Sequence, residues 1–321
     1  MLELKNVCVS AGVDDEIEII NNISLTLEEK KIYVVTGPNG GGKTSLAKAI
    51  MGIYPASGGQ IYLDGEEITG KTITERAALG IGYAFQAPPR FKGLRVRDML
   101  AIACWGPQTR TPATRDSDEK LLFSLLADVG LCAQDYIDRQ LDASFSGGEL
   151  KRVEIASILA RSASGDGSAS GECSANGECP VSGERPTGGD GSASGEHSID
   201  GNRSGGSGGG FGGGSGGGSG GSDKGVTELR VALFDEPEAG IDLWSFQKLT
   251  ETFRQLNHNC DTTIVIISHQ ERILRLADEV ILICGGKITE IASPDKILGD
   301  VDYFEEPGSF CPNCYTRKQG A

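Results

Sequence analysis

Gly37-Pro38-Asn39-Gly40-Gly41-Gly42-Lys43-Thr44 decides how the rest of the chain is read. An apolar run, Ile32-Tyr33-Val34-Val35, precedes it and a helix-like segment, Ser45 to Ile50, follows it. Strand, glycine loop, helix is the context that a phosphate-binding loop requires. Glycines let consecutive backbone N–H groups turn inward on phosphate oxygens, at a helix N-terminus whose dipole favours negative charge. Gly37, Pro38, Asn39, Gly40, Gly41, Gly42, Lys43, Thr44 and Ser45 are therefore the expected nucleotide-binding residues. Lys43 is expected to reach the β- and γ-phosphates and Thr44 to hold a magnesium ion. The loop predicts binding of a nucleoside triphosphate.

Upstream, Leu2, Leu4, Val7 and Val9 alternate with polar residues, as does Ile17 to Ile19, and both patterns predict half-buried strands. Downstream, Gln60 to Leu63 and Glu66 to Ile68 flank Asp64-Gly65, a strong hairpin signal. Gly82 to Phe85 predicts a further strand, with Gln86 at its end. From Val96 to about Arg161 the apolar residues fall at three-to-four spacing, which predicts helices. Within them lies Phe145-Ser146-Gly147-Gly148-Glu149-Leu150-Lys151-Arg152. Ser146 followed three residues on by Glu149 is the pattern of a capping box. Lys151, Arg152 and Glu154 read as the solvated face of the helix that follows.

Residues 162–225 are of another kind. They hold 24 of the 47 glycines and almost no large apolar side chains, so no core can form there. The octet Gly165 to Glu172 recurs, identical, at Gly189 to Glu196. The segment is expected to be a disordered low-complexity insertion. Lengthening a loop from ~8 to ~64 residues costs only about 2 kcal/mol of closure entropy. Beyond it the globular pattern resumes. Arg230 to Phe234 is an apolar strand ending in Asp235-Glu236, Trp244 to Leu256 is helical, and Thr263 to Ile267 is a buried strand followed by Ser268-His269. Glu279 to Ile283 and Lys287 to Ile291 close the chain with two strands around Gly285-Gly286.

A net charge of −15 argues against nucleic acid or an anionic membrane as the main partner. No apolar run approaches the ~18 residues that span a bilayer, so no direct membrane insertion is expected. Nine cysteines at irregular spacing do not form a disulfide framework, and a reduced, cytoplasmic location is expected. Cys173 and Cys179 in the insertion read as incidental thiols. Cys311-Pro312-Asn313-Cys314 in the tail has the spacing of half a zinc or iron–sulfur site.

The motifs stand in one order: phosphate loop, Gln86, Ser-Gly-Gly, apolar strand with Asp235-Glu236, then His269. This resembles the ATP-binding cassette (ABC) ATPases from the first strand to about Leu298, leaving out the insertion. The resemblance implies an α/β fold: a RecA-like parallel sheet, an N-terminal antiparallel β subdomain and a helical signature subdomain. It implies ATP and Mg2+ as cofactors. It also implies Asp235 as the Walker B aspartate on magnesium, Glu236 as the residue that orients or deprotonates the attacking water, and His269 as the switch residue on the γ-phosphate. Gln86 would sense magnesium and relay nucleotide state to a partner. Asp242 closes the D-loop, Ala239 to Asp242, and joins the nucleotide-binding set. Ser146, Gly147 and Gly148 would cap the γ-phosphate held by a second copy of the chain, so ATP would be hydrolysed by a head-to-tail dimer.

The stretch Phe145 to Ile155 is similar to the signature region of the SufC-type ATPases of iron–sulfur cluster assembly, where the signature also reads FSGGE. That likeness implies a SufB/SufD-like scaffold protein as partner. The alternative is a membrane permease, with the chain as the ATP-binding subunit of a transporter. Gln86 and Phe91 to Met99 would bear the contact in either case. A non-enzymatic ATP switch is disfavoured by the presence of both Glu236 and His269. The chain departs from the usual family pattern at Asp235-Glu236-Pro237-Glu238 and Ser268-His269-Gln270-Glu271, and no aromatic residue precedes Tyr33 to stack on adenine. The expected organisation is an N-terminal β and phosphate-loop part at 1–95, a helical signature subdomain at 96–161, the insertion at 162–225, the C-terminal part of the nucleotide-binding core at 226–300, and the Cys-x-x-Cys tail at 301–321.

Overall fold

The computed structural model describes residues 1–11, 17–106, 116–163, 228–259 and 261–299. Two compact units divide the chain; the described residues belong to the first, Met1–Ser170 with Gly225–Ala321. The second, Gly171–Lys224, lies outside them, as do residues 164–225 of the segment expected to be an insertion, Cys173, Cys179 and the Cys311/Cys314 tail; Ser162 and Ala163 are the end of a helix.

The alternating N-terminal segments form β1 (Leu2–Ala11) and β2 (Ile17–Leu27), paired antiparallel. Next come β3 (Ile32–Thr36) and α1 (Lys43–Met51), then the hairpin of β4 (Gly58–Leu63) and β5 (Glu66–Glu67). The hairpin turns on Asp64-Gly65, both at positive φ, as a type I′ turn requires. A helix that the apolar periodicity does not announce follows, α2 (Ile73–Ala78). Its signal is local: Thr72 and Glu75 close a reciprocal capping box. After β6 (Ile81–Ala84) the predicted helical stretch resolves into α3 (Val96–Trp105), α4 (Asp116–Asp128), α5 (Ala133–Tyr136) and α6 (Gly147–Ala163). The C-terminal part supplies β7 (Val231–Asp235), α7 (Leu243–Asn259), β8 (Thr263–Ile267), α8 (Glu271–Leu274), β9 (Glu279–Cys284), β10 (Lys287–Ala292) and α9 (Pro294–Gly299).

The strands make an antiparallel sheet, β2-β1-β4-β5, and a six-stranded sheet, β10-β9-β3-β8-β7-β6. In the larger sheet β9, β3, β8, β7 and β6 run parallel, and only β10 is antiparallel to its neighbour. This is the expected α/β architecture. Strand period fixes where the cores sit. Ile32 and Val34 of β3 face one cluster, with α3, α4, α6 and α7, whereas Tyr33 and Val35 face another, with α1 and the antiparallel sheet. Buried on both faces, β3, β7 and β8 read in sequence as unbroken apolar runs.

Arg76 of α2 is 1% exposed and has no carboxylate partner among the described residues. Its guanidinium donates to the carbonyls of Ala49 and Ile50 at the end of α1, both at 2.7 Å, and to those of Thr69 and Lys71. Four acceptors converge on one rigid fork, which a lysine could not reproduce. Arg76→Met leaves them without a donor, and we expect a loss of about 2–4 kcal/mol. In a thermal melt that lowers Tm by roughly 10 °C; an unchanged Tm would show that water takes over the arginine's role.

The Ala77–Ile81 turn, at the amino end of β6, receives bonds from residues on both sides of the 164–227 stretch. Arg161 near the end of α6 donates to the carbonyls of Ala77 and Ile81, and the Arg230 N–H donates to the Gly80 carbonyl at 2.8 Å.

Candidate functional site

Four neighbouring parallel strands, β6, β7, β8 and β3, carry the motif residues just past their carboxyl ends. Gln86 follows β6, Asp235 ends β7 with Glu236 next, Ser268-His269 follows β8, and the glycine loop follows β3. Register puts Val35, Ile267 and Asp235 in one row across the sheet, so these residues converge on one edge.

The glycine loop is fixed from behind. Gly37 has φ +137°, and a Cβ there would lie 2.0 Å from the Ile283 carbonyl oxygen of β9, so no other residue fits. The Gly286 N–H bonds Gly41 O at 2.9 Å, and Asn21 N–H bonds Gly286 O at 2.8 Å, which ties the loop to the β9–β10 turn and to β2. Lys43 opens α1 and is 6% exposed. Its ammonium donates to the Gly37 and Pro38 carbonyls at 2.8 and 2.9 Å, which holds it over the loop. Burial lowers its pKa, and the nearby Glu236 and Asp235 act against that.

Asp235 is fully buried. Thr44 Oγ1 donates to one carboxylate oxygen and Tyr83 OH to the other, each at 3.1 Å. Burial raises its pKa, opposed by those two hydrogen bonds and by Lys151. A hydroxyl beside an acidic carboxylate in a buried setting is the hard-oxygen donor set that magnesium takes, so Thr44 and Asp235 fit the ion. Gln86 Nε2 donates to Glu236 Oε2 at 2.8 Å. Glu236 has φ +44°, in the left-handed region that a non-glycine residue occupies at a cost of about 1–3 kcal/mol. Its N–H bonds Ile267 O at 3.0 Å, which anchors the strained residue to β8. His269 lies near Lys43 and Glu236; partial burial first, then the Lys43 charge, lowers its pKa.

The signature segment belongs to another part of the molecule. Ser146 and Glu149 form the predicted capping box, with Ser146 N–H to Glu149 Oε2 at 2.7 Å and Glu149 N–H to Ser146 Oγ at 3.2 Å. Arg139 stacks 4.2 Å from the Phe145 ring centroid and 3.8 Å from Glu149, bracing the loop. Gly148 sits against the D-loop, where a Cβ would lie 2.0 Å from Gly240 O. Ser146, Gly147 and Gly148 are thus placed beside Gly240, and the bonds of Ser146 run to Glu149 and Leu150, not to the glycine loop. Asp242 accepts from Ser245 N–H at 3.0 Å and Ser245 Oγ at 2.7 Å, and so caps α7.

Two residues expected on a solvated face are buried instead. Lys151 is 1% and Glu154 6% exposed, because α6 packs on nearly all sides. Lys151 Nζ donates to the carbonyls of Phe85 and Asp235, the residues just before Gln86 and Glu236. Glu154 accepts the Phe85 N–H at 3.0 Å. Helical periodicity marks the apolar stripe; it does not reveal which carbonyls lie across from a charge. Tyr83 was likewise concealed as one apolar strand residue among four.

Burial pushes the Glu154 carboxyl up to about 7, with the Phe85 N–H and Lys151 pulling down. Between pH ~4.5 and ~7 the folded chain therefore holds a proton that the unfolded chain releases. Stability from this group is present at the acid end and is lost as pH rises, by on the order of 1–3 kcal/mol. Glu154→Gln removes the titration, so its urea midpoint should gain on wild type between pH 5 and pH 8. A constant difference across that range would refute the shift.

The fold is that of the ATP-binding cassettes. A family model described as ABC transporter matches residues 20–164, from β2 to the end of α6. The chain carries an ABC ATPase domain and is an ATPase that uses ATP and magnesium. It is 29% identical over 302 residues to an uncharacterized ABC transporter ATP-binding protein of Methanocaldococcus jannaschii, covering 94% of this chain and 90% of that one. It is 23% identical over 291 residues to the sulfate/thiosulfate import ATP-binding protein CysA of Brucella melitensis; the match spans 90% of this chain and 59% of CysA. Among solved structures, the dimeric post-hydrolysis state of the ATP-binding cassette MJ0796 bound to ADP and Pi superposes with a TM-score of 0.64. That match has 17% identity and covers 92% of this chain and 99% of that one.

Proposed function

We propose that the chain is the cytoplasmic ATP-binding subunit of a membrane transporter, acting as a head-to-tail pair on a separate permease. The observation that carries the reading is the convergence of Gln86, Asp235-Glu236, His269 and the glycine loop on one sheet edge. The names of the M. jannaschii and Brucella relatives support the transport setting. Among the described residues no helix is long and apolar enough to cross a membrane.

In this reading the loop N–H groups and Lys43 hold the phosphates. Thr44 and Asp235 would hold magnesium, with Gln86 sensing it, and the ion would supply neutralisation of phosphate charge. Glu236 takes the proton of the attacking water or orients it, and Gln86, bonded to that carboxylate, reports the state of the base to the partner. His269 contacts the γ-phosphate. The partner copy's Ser-Gly-Gly helix tip completes the site, since within one chain that tip rests on Gly240. Phe85, Phe91 and Ile102, large apolar side chains 38%, 42% and 44% exposed near the Gln86 loop and on α3, suit a docking surface.

A second reading is favoured by Phe145-Ser146-Gly147-Gly148-Glu149: an ATPase that drives a SufB/SufD-like scaffold in iron–sulfur cluster assembly. Gentle affinity capture of the tagged chain from native membranes and cytosol separates the two. Capture of a detergent-soluble integral membrane protein that stimulates ATP turnover supports transport. A soluble, iron-containing scaffold with that effect would replace it with the second reading.

A further inference from the structure

Ser268 is completely buried at the end of β8, immediately before His269. Its N–H is bound to Val35 O at 3.2 Å, and its hydroxyl accepts the Gln270 N–H at 3.0 Å, closing a small turn around His269. The same hydroxyl donates its proton to Glu238 Oε1. A hydroxyl has one proton and two lone pairs, so committing the proton to a carboxylate aims a lone pair at Gln270. Glu238 belongs to the tight turn after the base. The Ala239 N–H bonds Glu236 O and the Ile241 N–H bonds Glu238 O, both at 3.1 Å. Its second carboxylate oxygen is buried and has no hydrogen-bond partner among the described residues.

We infer that Glu238 and Ser268 form a latch from the D-loop to the switch turn, and that both are positioning residues for His269. The inference rests on the reading of His269 as the residue that meets the γ-phosphate. Glu238 stands two residues after Glu236 and two before Gly240, against which Gly148 of the signature segment is packed. The latch thus ties the orientation of the switch histidine to the turn that carries the base. Burial raises the Glu238 pKa while the Ser268 bond opposes that rise, so the bond favours the charged acceptor.

The test compares full-length chains carrying Ser268→Ala, Glu238→Ala, both together, Glu238→Gln and His269→Ala, with kcat and KM for MgATP and Tm measured for each. Each alanine variant should lower kcat about tenfold or more with KM within about threefold, the sign of lost transition-state positioning. The double variant should be no slower than the slower single one, since both break one bond. Glu238→Gln, whose amide oxygen still accepts the Ser268 proton, should keep kcat within about threefold. Unchanged kcat in Ser268→Ala, or losses that multiply in the double variant, overturns the latch. If Glu238→Ala does not fold, Ser268→Ala against Glu238→Gln decides alone. Loss in His269→Ala without loss in Ser268→Ala removes the latch and leaves the switch reading; no loss in His269→Ala removes both.

Discussion

Lys43→Ala lowers the affinity of the full chain for MgATP by about 10²–10³-fold, measured by titration calorimetry. Two charge-assisted hydrogen bonds to phosphate at about 1.5–3 kcal/mol each give that range. A second term acts in the same direction. The Lys43 ammonium is flanked by Asp235 and Glu236, so its removal leaves an anionic wall facing an anionic ligand. The fold should survive. Lys43 is charged and 6% exposed, and its partners are loop carbonyls, so alanine relieves a buried cation and leaves the core intact. Binding within fivefold of wild type, with Tm unchanged, would mean that the glycine loop does not hold phosphate.

Glu236→Gln lowers kcat by about 10²–10⁴-fold, the range for loss of a general base, while ATP affinity is kept. Glutamine has the same shape, accepts the Gln86 N–H that Glu236 accepts at 2.8 Å, and is no worse at φ +44°. What is lost is the capacity to take a proton. Removing a negative charge near the γ-phosphate also favours the ATP-bound state, so the variant should accumulate as a two-chain species in MgATP, read by light scattering. A variant that turns over at the wild-type rate would place the base elsewhere. One that is inactive yet stays a single chain with saturating MgATP and its partner would remove the head-to-tail arrangement.

The parts of the molecule written in runs and turns were legible from residues alone. Ile32 to Val35 and Ile264 to Ile267 are buried on both sheet faces, so no polar residue interrupts them. Asp64-Gly65 sits where both turn residues need positive φ. The site residues Lys43, Thr44, Gln86, Asp235, Glu236 and His269 stand close to strand ends, which short motifs mark well. Contacts at a distance in the chain were not legible. Tyr83 bonds Asp235 across 152 positions, Lys151 reaches back to Phe85, and Glu238 meets Ser268 across 30. Each is a polar side chain whose partner is set by packing of the sheet against α6 or the next strand. The helix α2 was missed for the opposite reason: its signal, Thr72 with Glu75, is short and local, and its apolar pattern is too brief to count.

The Arg161 and Arg230 bonds to the Ala77–Ile81 turn have a practical meaning. The backbone leaves at Ala163 and returns at Glu228 on the rear rim of the big sheet, a strand's length, or about 15 Å, from the phosphate end. That rim is a splice port: a fluorescent tag, a purification handle or a foreign domain grafted there enters away from the phosphate end, its two roots held by the Arg161 guanidinium and the Arg230 backbone N–H. The chain itself already carries residues 164–227 between these two roots.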